Sequence, residues 1–235
     1  MLLGFLDSDR LTPLLLAAVL AWILCVCLHE FAHALVAWFG GDRSVREKGY
    51  LSLDFTRYLD PFASVVLPAI VLALGGVPLP GGAVRIDESA LRNRRWGLYV
   101  AAAGPAANLL VFLGLGLLLH PALGLVRHHS AEQPTWVYFL GAMAFLNFIA
   151  ALFNLLPVPP LDGYRLVEHR LPEEWQWHLR QPQAAMTAFA LLFLILWTVD
   201  AAWYPFYFMF DLVTESLGLP SGLMLRGYSL VLFNR

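Results

Sequence analysis

An α-helical polytopic membrane protein is the fold class this sequence predicts, on three observations. Of its 235 residues, 59% are hydrophobic and only 14% charged, where a soluble domain carries roughly a quarter charged residues. Several apolar runs reach the ~18 residues that a spanning helix needs. The basic residues, all arginine except Lys48, cluster between those runs, as orientation determinants do. A net charge of -2 argues against a nucleic-acid partner.

The first helix is expected over 11–39, closed by Gly40-Gly41, a helix C-terminal signal. Its apolar run is too long for a signal-peptide core and reads as a retained helix. Cys25 and Cys27 lie two apart on it, ~200° around the axis, so they cannot readily bridge and read as small apolar residues. The stretch 42–60 is polar. Within it Leu51, Leu53 and Phe55 alternate with Ser52, Asp54 and Thr56, the period of a half-buried strand. A second short strand is expected at Ala83–Ile86. Between them Pro61–Pro80 is apolar but holds Pro68, Gly75, Gly76, Pro78 and Pro80, and makes a poor straight helix.

Further spans are expected at 96–119, 135–156 and 184–202. The segment 164–183, with Trp175, Trp177 and Leu179, suits an interfacial amphipathic helix. The tail 204–235, broken by Pro205, Asp211, Glu215 and Pro220, reads as interfacial rather than as another span. The chain is therefore expected to be a single membrane-embedded domain over 1–235. It would have about four spanning helices plus a re-entrant segment and short β-strands near the active site.

The chemistry begins with His29-Glu30-Phe31-Ala32-His33. Residues four apart on a helix lie ~40° apart around the axis and one turn along it. Both imidazoles can therefore reach one Zn²⁺ at ~2.1 Å, with Glu30 beside them as general base toward a zinc-bound water. Charged groups in hydrocarbon cost ~2.5–3.5 kcal/mol near a helix centre on insertion scales, so such groups pair or line a functional cavity. Catalytic zinc takes three protein ligands, and Asp162 is the candidate third. It follows Pro157, Pro159 and Pro160, which unwind a helix end, and precedes Gly163; the alternative is a helix-end residue facing water. The adjacent base favours an enzyme over a metal carrier, which needs ligands but no base.

At 29–33 stands HEFAH, at 104–108 GPAAN, and at 154–163 NLLPVPPLDG. In order these resemble the three motifs of the site-2 protease family of intramembrane zinc metalloproteases. The likeness covers roughly 11–165 and is closest to compact prokaryotic members without a PDZ or CBS domain. The resemblance implies one Zn²⁺ per chain held by His29, His33 and Asp162, with Glu30 as catalytic base. It implies a substrate-binding role for Asn154 near the scissile bond, and a place near the site for Asn108. The implied partners are the lipid bilayer and a membrane-spanning or membrane-associated peptide substrate. His120, His128, His129, His169 and His178 read as ordinary interfacial or solvated residues.

Helix direction adds a constraint. His29 and His33 lie toward the C-terminal end of the first helix, and Asp162 follows the C-terminal end of the 135–156 helix. Both reach one metal only if those helices run the same way, so Pro61–Pro80 is expected to enter and leave on one side. One face then holds 11 basic residues, among them Arg43, Arg85, Arg94 and Arg165, and the other holds Arg10, Arg127, Arg226 and Arg235. By the positive-inside bias the protein is a multi-pass cell-membrane protein with its N-terminus outside and its site nearer the cytoplasmic face.

Overall fold

The run of leucine, alanine and valine from Pro13 to Gly40 is apolar on all sides and forms one 28-residue helix, α1. At 1.5 Å per residue it is ~42 Å long, more than the ~30 Å of bilayer hydrocarbon. The computed structural model describes residues 13–60, 64, 82–126 and 133–233. Two further helices are long and apolar enough to cross a membrane: α2 over Arg94–Leu118 and α3 over Thr135–Asn154. Asn93 caps α2 by accepting the Arg95 N–H, the ordinary N-cap device.

After α3 come two short helices, α4 (Asp162–Val167) and α5 (Glu173–Leu179), then α6 (Pro182–Thr198), α7 (Tyr204–Ser216) and α8 (Ser221–Phe233). The pair α5–α6 is bent by 80° and together is apolar enough to be a fourth span. Trp175 and Trp177 on α5 are both exposed. The tail folds into α7 and α8. The latter, 13 residues long, is shorter than a span and packs along α3. A Cβ at Gly227 would lie 2.2 Å from the Tyr138 carbonyl oxygen, so only glycine lets the two backbones approach this closely.

Aromatic rings fill the junction of α2, α3 and α7. Phe112 lies 4.9 Å from Phe148, and Phe210 lies 5.0 Å from Phe145 and 5.4 Å from Phe148, centroid to centroid. Lipid tails are as apolar as these rings, so dispersion and close fit, rather than escape from water, hold such a core inside a bilayer.

The expected strands do not form: among the described residues every regular element is helical. At 51–58 local side-chain bonds outcompete a ladder. Asp54 accepts both the N–H (3.0 Å) and the hydroxyl (2.6 Å) of Thr56, which folds Phe55–Arg57 into a 3₁₀ turn. The same hydrogen bonds hold the Asp54 carboxyl below the usual carboxylate range. Tyr58, fully buried, donates its hydroxyl back to the Tyr50 and Ser52 carbonyls. Residues 82–87 run without regular structure along α1 and pair with no strand. The expected re-entrant segment, Pro61–Pro80, lies outside the described residues apart from Ser64.

What flanks that segment is clear. The α1 terminus is a Schellman turn: Gly41 N–H bonds Trp38 O and Asp42 N–H bonds Ala37 O, at 3.3 and 3.0 Å, with φ of 125° at Gly41, as the motif requires. The Arg92 N–H then bonds the Gly40 carbonyl at 2.9 Å. The end of α1 and the start of α2 therefore meet at one end of the bundle, and the two helices are antiparallel. Hence α1 and α3 run parallel, with α2 opposite. Single cysteines at Glu47 and Ser89, in a background lacking Cys25 and Cys27, should react with an impermeant thiol reagent from one side of the membrane. A cysteine at Leu123, beyond the far end of α2, should react from the other.

Candidate metal centre

One turn apart on α1, His29 and His33 present their Nε2 atoms to each other at 3.1 Å. Asp162 Oδ2 closes the triangle at 3.2 Å from each. Both histidines are buried. A carbonyl only accepts, so the 2.6 Å contact of His33 Nδ1 with Val100 O places the proton on Nδ1 and turns the bare Nε2 lone pair inward. Asp162 Oδ2 is buried without a hydrogen-bond partner. Converging lone pairs around an orphaned carboxylate oxygen ask for a cation. Tetrahedral zinc with ligands at ~2.0–2.1 Å separates its donors by about 3.3–3.4 Å, close to the spacing observed. Among the described residues this is the group of His, Cys, Asp and Glu side chains that could hold a metal ion.

Local backbone explains how each side chain arrives. Pro157, Pro159 and Pro160 end α3, and the chain folds back over its last turn. A Cβ at Gly163 would lie 2.2 Å from Leu155 O; glycine permits this approach, and Asp162 swings toward α1. On α2, Pro105 is buried within the helix and withholds the hydrogen bond due to the Ala101 carbonyl. Its neighbour Gly104 faces the histidines directly. A Cβ there would fall 2.3 Å from His33 Nε2 and 2.5 Å from His29 Nε2. The space in front of the nitrogens is open because Gly104 has no side chain. GPAAN signals this glycine, but attention to its asparagine alone misses it.

Around the triangle lies a cavity of about 600 Å³. Glu30, buried one residue from His29, lines it together with Asn108 and Asn154, so all six expected site residues share one space. The Asn154 amide also donates to Ala150 O at 3.1 Å. Gly82 packs on the Glu30 side chain, where a Cβ would lie 3.3 Å from Glu30 Cγ, and this brings the 82–87 segment to the wall. On the other side Met186 and Phe189 of α6 close the cavity, and Arg165 and Arg180 stand at its rim. Motif reading missed these four, since nothing in their local sequence marks them. Cys25 and Cys27 are free thiols, as their spacing requires. Cys25 accepts the Asn147 amide at 3.3 Å.

Two substitutions test the centre. Asp162→Ala should lower bound metal and activity together, measured by elemental analysis and peptide cleavage, whereas Asp211→Ala on the exposed face of α7 should change neither. Gly104→Ala should lower metal affinity on the order of 10–100-fold, the range for residues that shape a ligand set from outside, while the thermal unfolding midpoint in detergent moves little. Full metal retention in Gly104→Ala would mean that the open space serves something else.

Comparison with known proteins agrees with the geometry. The family model for peptidase family M50 matches residues 119–199, the part that carries Asp162. Over 182 residues the chain is 39% identical to "Putative zinc metalloprotease Rip2" of Mycolicibacterium smegmatis, covering 74% of this chain and 66% of that one. It is 35% identical over 236 residues to the protein of the same description from Mycobacterium tuberculosis H37Rv, covering 97% of this chain and 88% of that one. "Putative zinc metalloprotease YwhC" of Bacillus subtilis is 33% identical over 203 residues, with 85% and 88% covered. No solved structure matches the chain. The near-complete alignment takes in both HEFAH and LDG, and the chain belongs to peptidase family M50, the site-2 protease family of zinc metalloproteases.

Proposed function

We propose that the chain hydrolyses peptide bonds of membrane-spanning or membrane-associated substrates at a single zinc held by His29, His33 and Asp162. The observation that carries this reading is the Nε2–Nε2–Oδ2 triangle with Glu30 beside it, set within apolar helices. Bound there, zinc supplies Lewis acidity and makes water nucleophilic near neutral pH. Glu30 is the general base: it takes the proton of the attacking water and delivers it to the leaving amine. Gly82 packs against the Glu30 side chain at the cavity wall. Asn154, and more remotely Asn108, offer amides to the substrate backbone and to the oxyanion that develops on its carbonyl.

The walls suit a peptide drawn from a bilayer. Trp22, Val26, Phe153, Met186 and Phe189 supply apolar surface, while the segment 82–86 presents main chain. An extended peptide can bond to such main chain by backbone pairing, with its side chains against the apolar wall. The count of basic residues by face, with α1 and α3 parallel, supports an N-terminus outside and a metal nearer the cytoplasm.

Glu30→Gln separates chemistry from binding. The variant should keep its zinc, because all three ligands remain, and should lose cleavage of a transmembrane peptide in detergent by at least 10²-fold, at the lower end of what general-base removal costs. Undiminished cleavage would remove Glu30 from the mechanism. Cleavage of small soluble amides in preference to transmembrane peptides would redirect the reading toward another amide hydrolase.

A further inference from the structure

Asp42 is fully buried just beyond the Schellman turn that ends α1. It ligates nothing and lies outside the cavity, yet each of its oxygens is engaged. Oδ1 accepts the Ser44 N–H at 2.9 Å and the Ser44 hydroxyl at 2.6 Å, and Oδ2 accepts the Asp87 backbone N–H at 2.8 Å. A buried carboxylate with three donors is a set of charge-assisted bonds, and the last of them reaches 45 residues along the chain. Its target is the segment that walls the catalytic cavity.

From the start of that segment, the Ala83 N–H bonds the Tyr58 carbonyl at 2.9 Å. Gly82 lies against the Glu30 side chain, Lys48 Nζ donates to the Arg85 carbonyl at 3.0 Å, and the Asp87 N–H bonds Asp42. Tyr58 and Lys48 belong to the stretch after α1, in which Lys48 caps one helical turn, Ser44–Glu47, and Lys48 is exposed. Asp42 is continuous with α1 itself, the helix that carries His29, Glu30 and His33. Gly41 leaves room for this junction, since a Cβ there would fall 2.6 Å from Ala90 O.

We propose that Asp42 is a positioning residue for the reaction: by holding the Asp87 N–H it fixes segment 82–87 against the Glu30 face of α1. The proposal rests on the proteolytic reading above. Asp42 touches neither metal nor substrate and acts through the main chain, so its loss changes turnover while leaving the ligand set whole. Asp42→Asn keeps an oxygen for Ser44 but turns an amide donor toward the Asp87 N–H. Asp87→Pro deletes the same bond from the other side. The φ of −86° at Asp87 is near the range proline adopts. Asp87→Ala keeps the N–H and removes only the side chain.

The test uses the full chain in detergent with zinc bound. Hydrogen exchange of the 84–87 amides should quicken about 10-fold or more in Asp42→Asn, the effect of losing a hydrogen bond to a charged group. Exchange within α2 and α3 should stay unchanged. On a transmembrane peptide that the wild type cleaves, kcat should fall on the order of 10-fold with zinc still stoichiometric. Asp87→Pro should reproduce both effects, Asp87→Ala should show much less of either, and the double variant should be no worse than the single ones, because both remove one bond. Should Asp42→Asn fail to fold, Asp87→Pro carries the test alone. Unchanged exchange at 84–87, faster exchange with unaltered kcat, or zinc lost in step with activity would each overturn the proposal. A wild type that cleaves no membrane peptide would instead overturn the proteolytic reading, and the exchange measurement would still decide whether Asp42 holds the segment.

Discussion

A buried aspartate oxygen that faces two imidazole nitrogens and has no hydrogen-bond partner asks for a cation, and much of the fold serves that meeting. Asp162 is separated from His33 by 129 positions of chain, and no local structure could bring them together. Three transmembrane helices must run in the order up, down, up, and the chain between the first two must return to the face it left. The 2.9 Å bond from Arg92 to Gly40 is where that return is secured. Once α1 and α3 are parallel, both C-terminal ends arrive at one depth, and the proline-rich turn after α3 carries the carboxylate across.

Close approach, more than apolar bulk, does the remaining positioning. Gly104 lets α2 pass directly in front of the imidazoles, Gly163 lets the chain fold back over the end of α3, and Gly227 seats α8 on Tyr138. In each case the atoms a side chain would meet belong to the site or to backbone. Hydrocarbon offers no net reward for burying one leucine against another, so glycine contacts and a few buried amides, such as Asn147 donating to Cys25 on α1, set which helices pair.

How much of this was legible follows from the range over which each signal acts. Span limits came within a few residues because helix formation in lipid is forced by backbone hydrogen bonding and the apolar runs are long. HEFAH was legible because two imidazoles and a carboxylate lie within about one turn of helix. Asp162 needed the prolines around it and the family likeness, since its partners are remote in sequence. The strands failed for a local reason: Asp54 and Tyr58 satisfy the loop's polar groups among themselves, and alternation of side chains cannot report that. Met186, Phe189 and Arg180 were invisible because they reach the cavity through the bend between α5 and α6, and Arg165 because it reaches the cavity from α4, three residues past Asp162.

The Gly40–Arg92 junction has a consequence for how such a chain can diverge. Because Gly40 and Arg92 are tied, the number of residues between them is decoupled from the direction of α2. Closing a longer loop costs only about 0.6 kcal/mol per doubling, so residues could be added between Asp60 and Gly82 without reversing α2 or α3. Material inserted after α2 would have no such freedom if it added a single crossing, since one reversal would carry Asp162 to the opposite face. The bundle thus divides into a part whose topology is fixed by the meeting of Asp162 with the two histidines and a part where new sequence can accumulate beside the cavity wall.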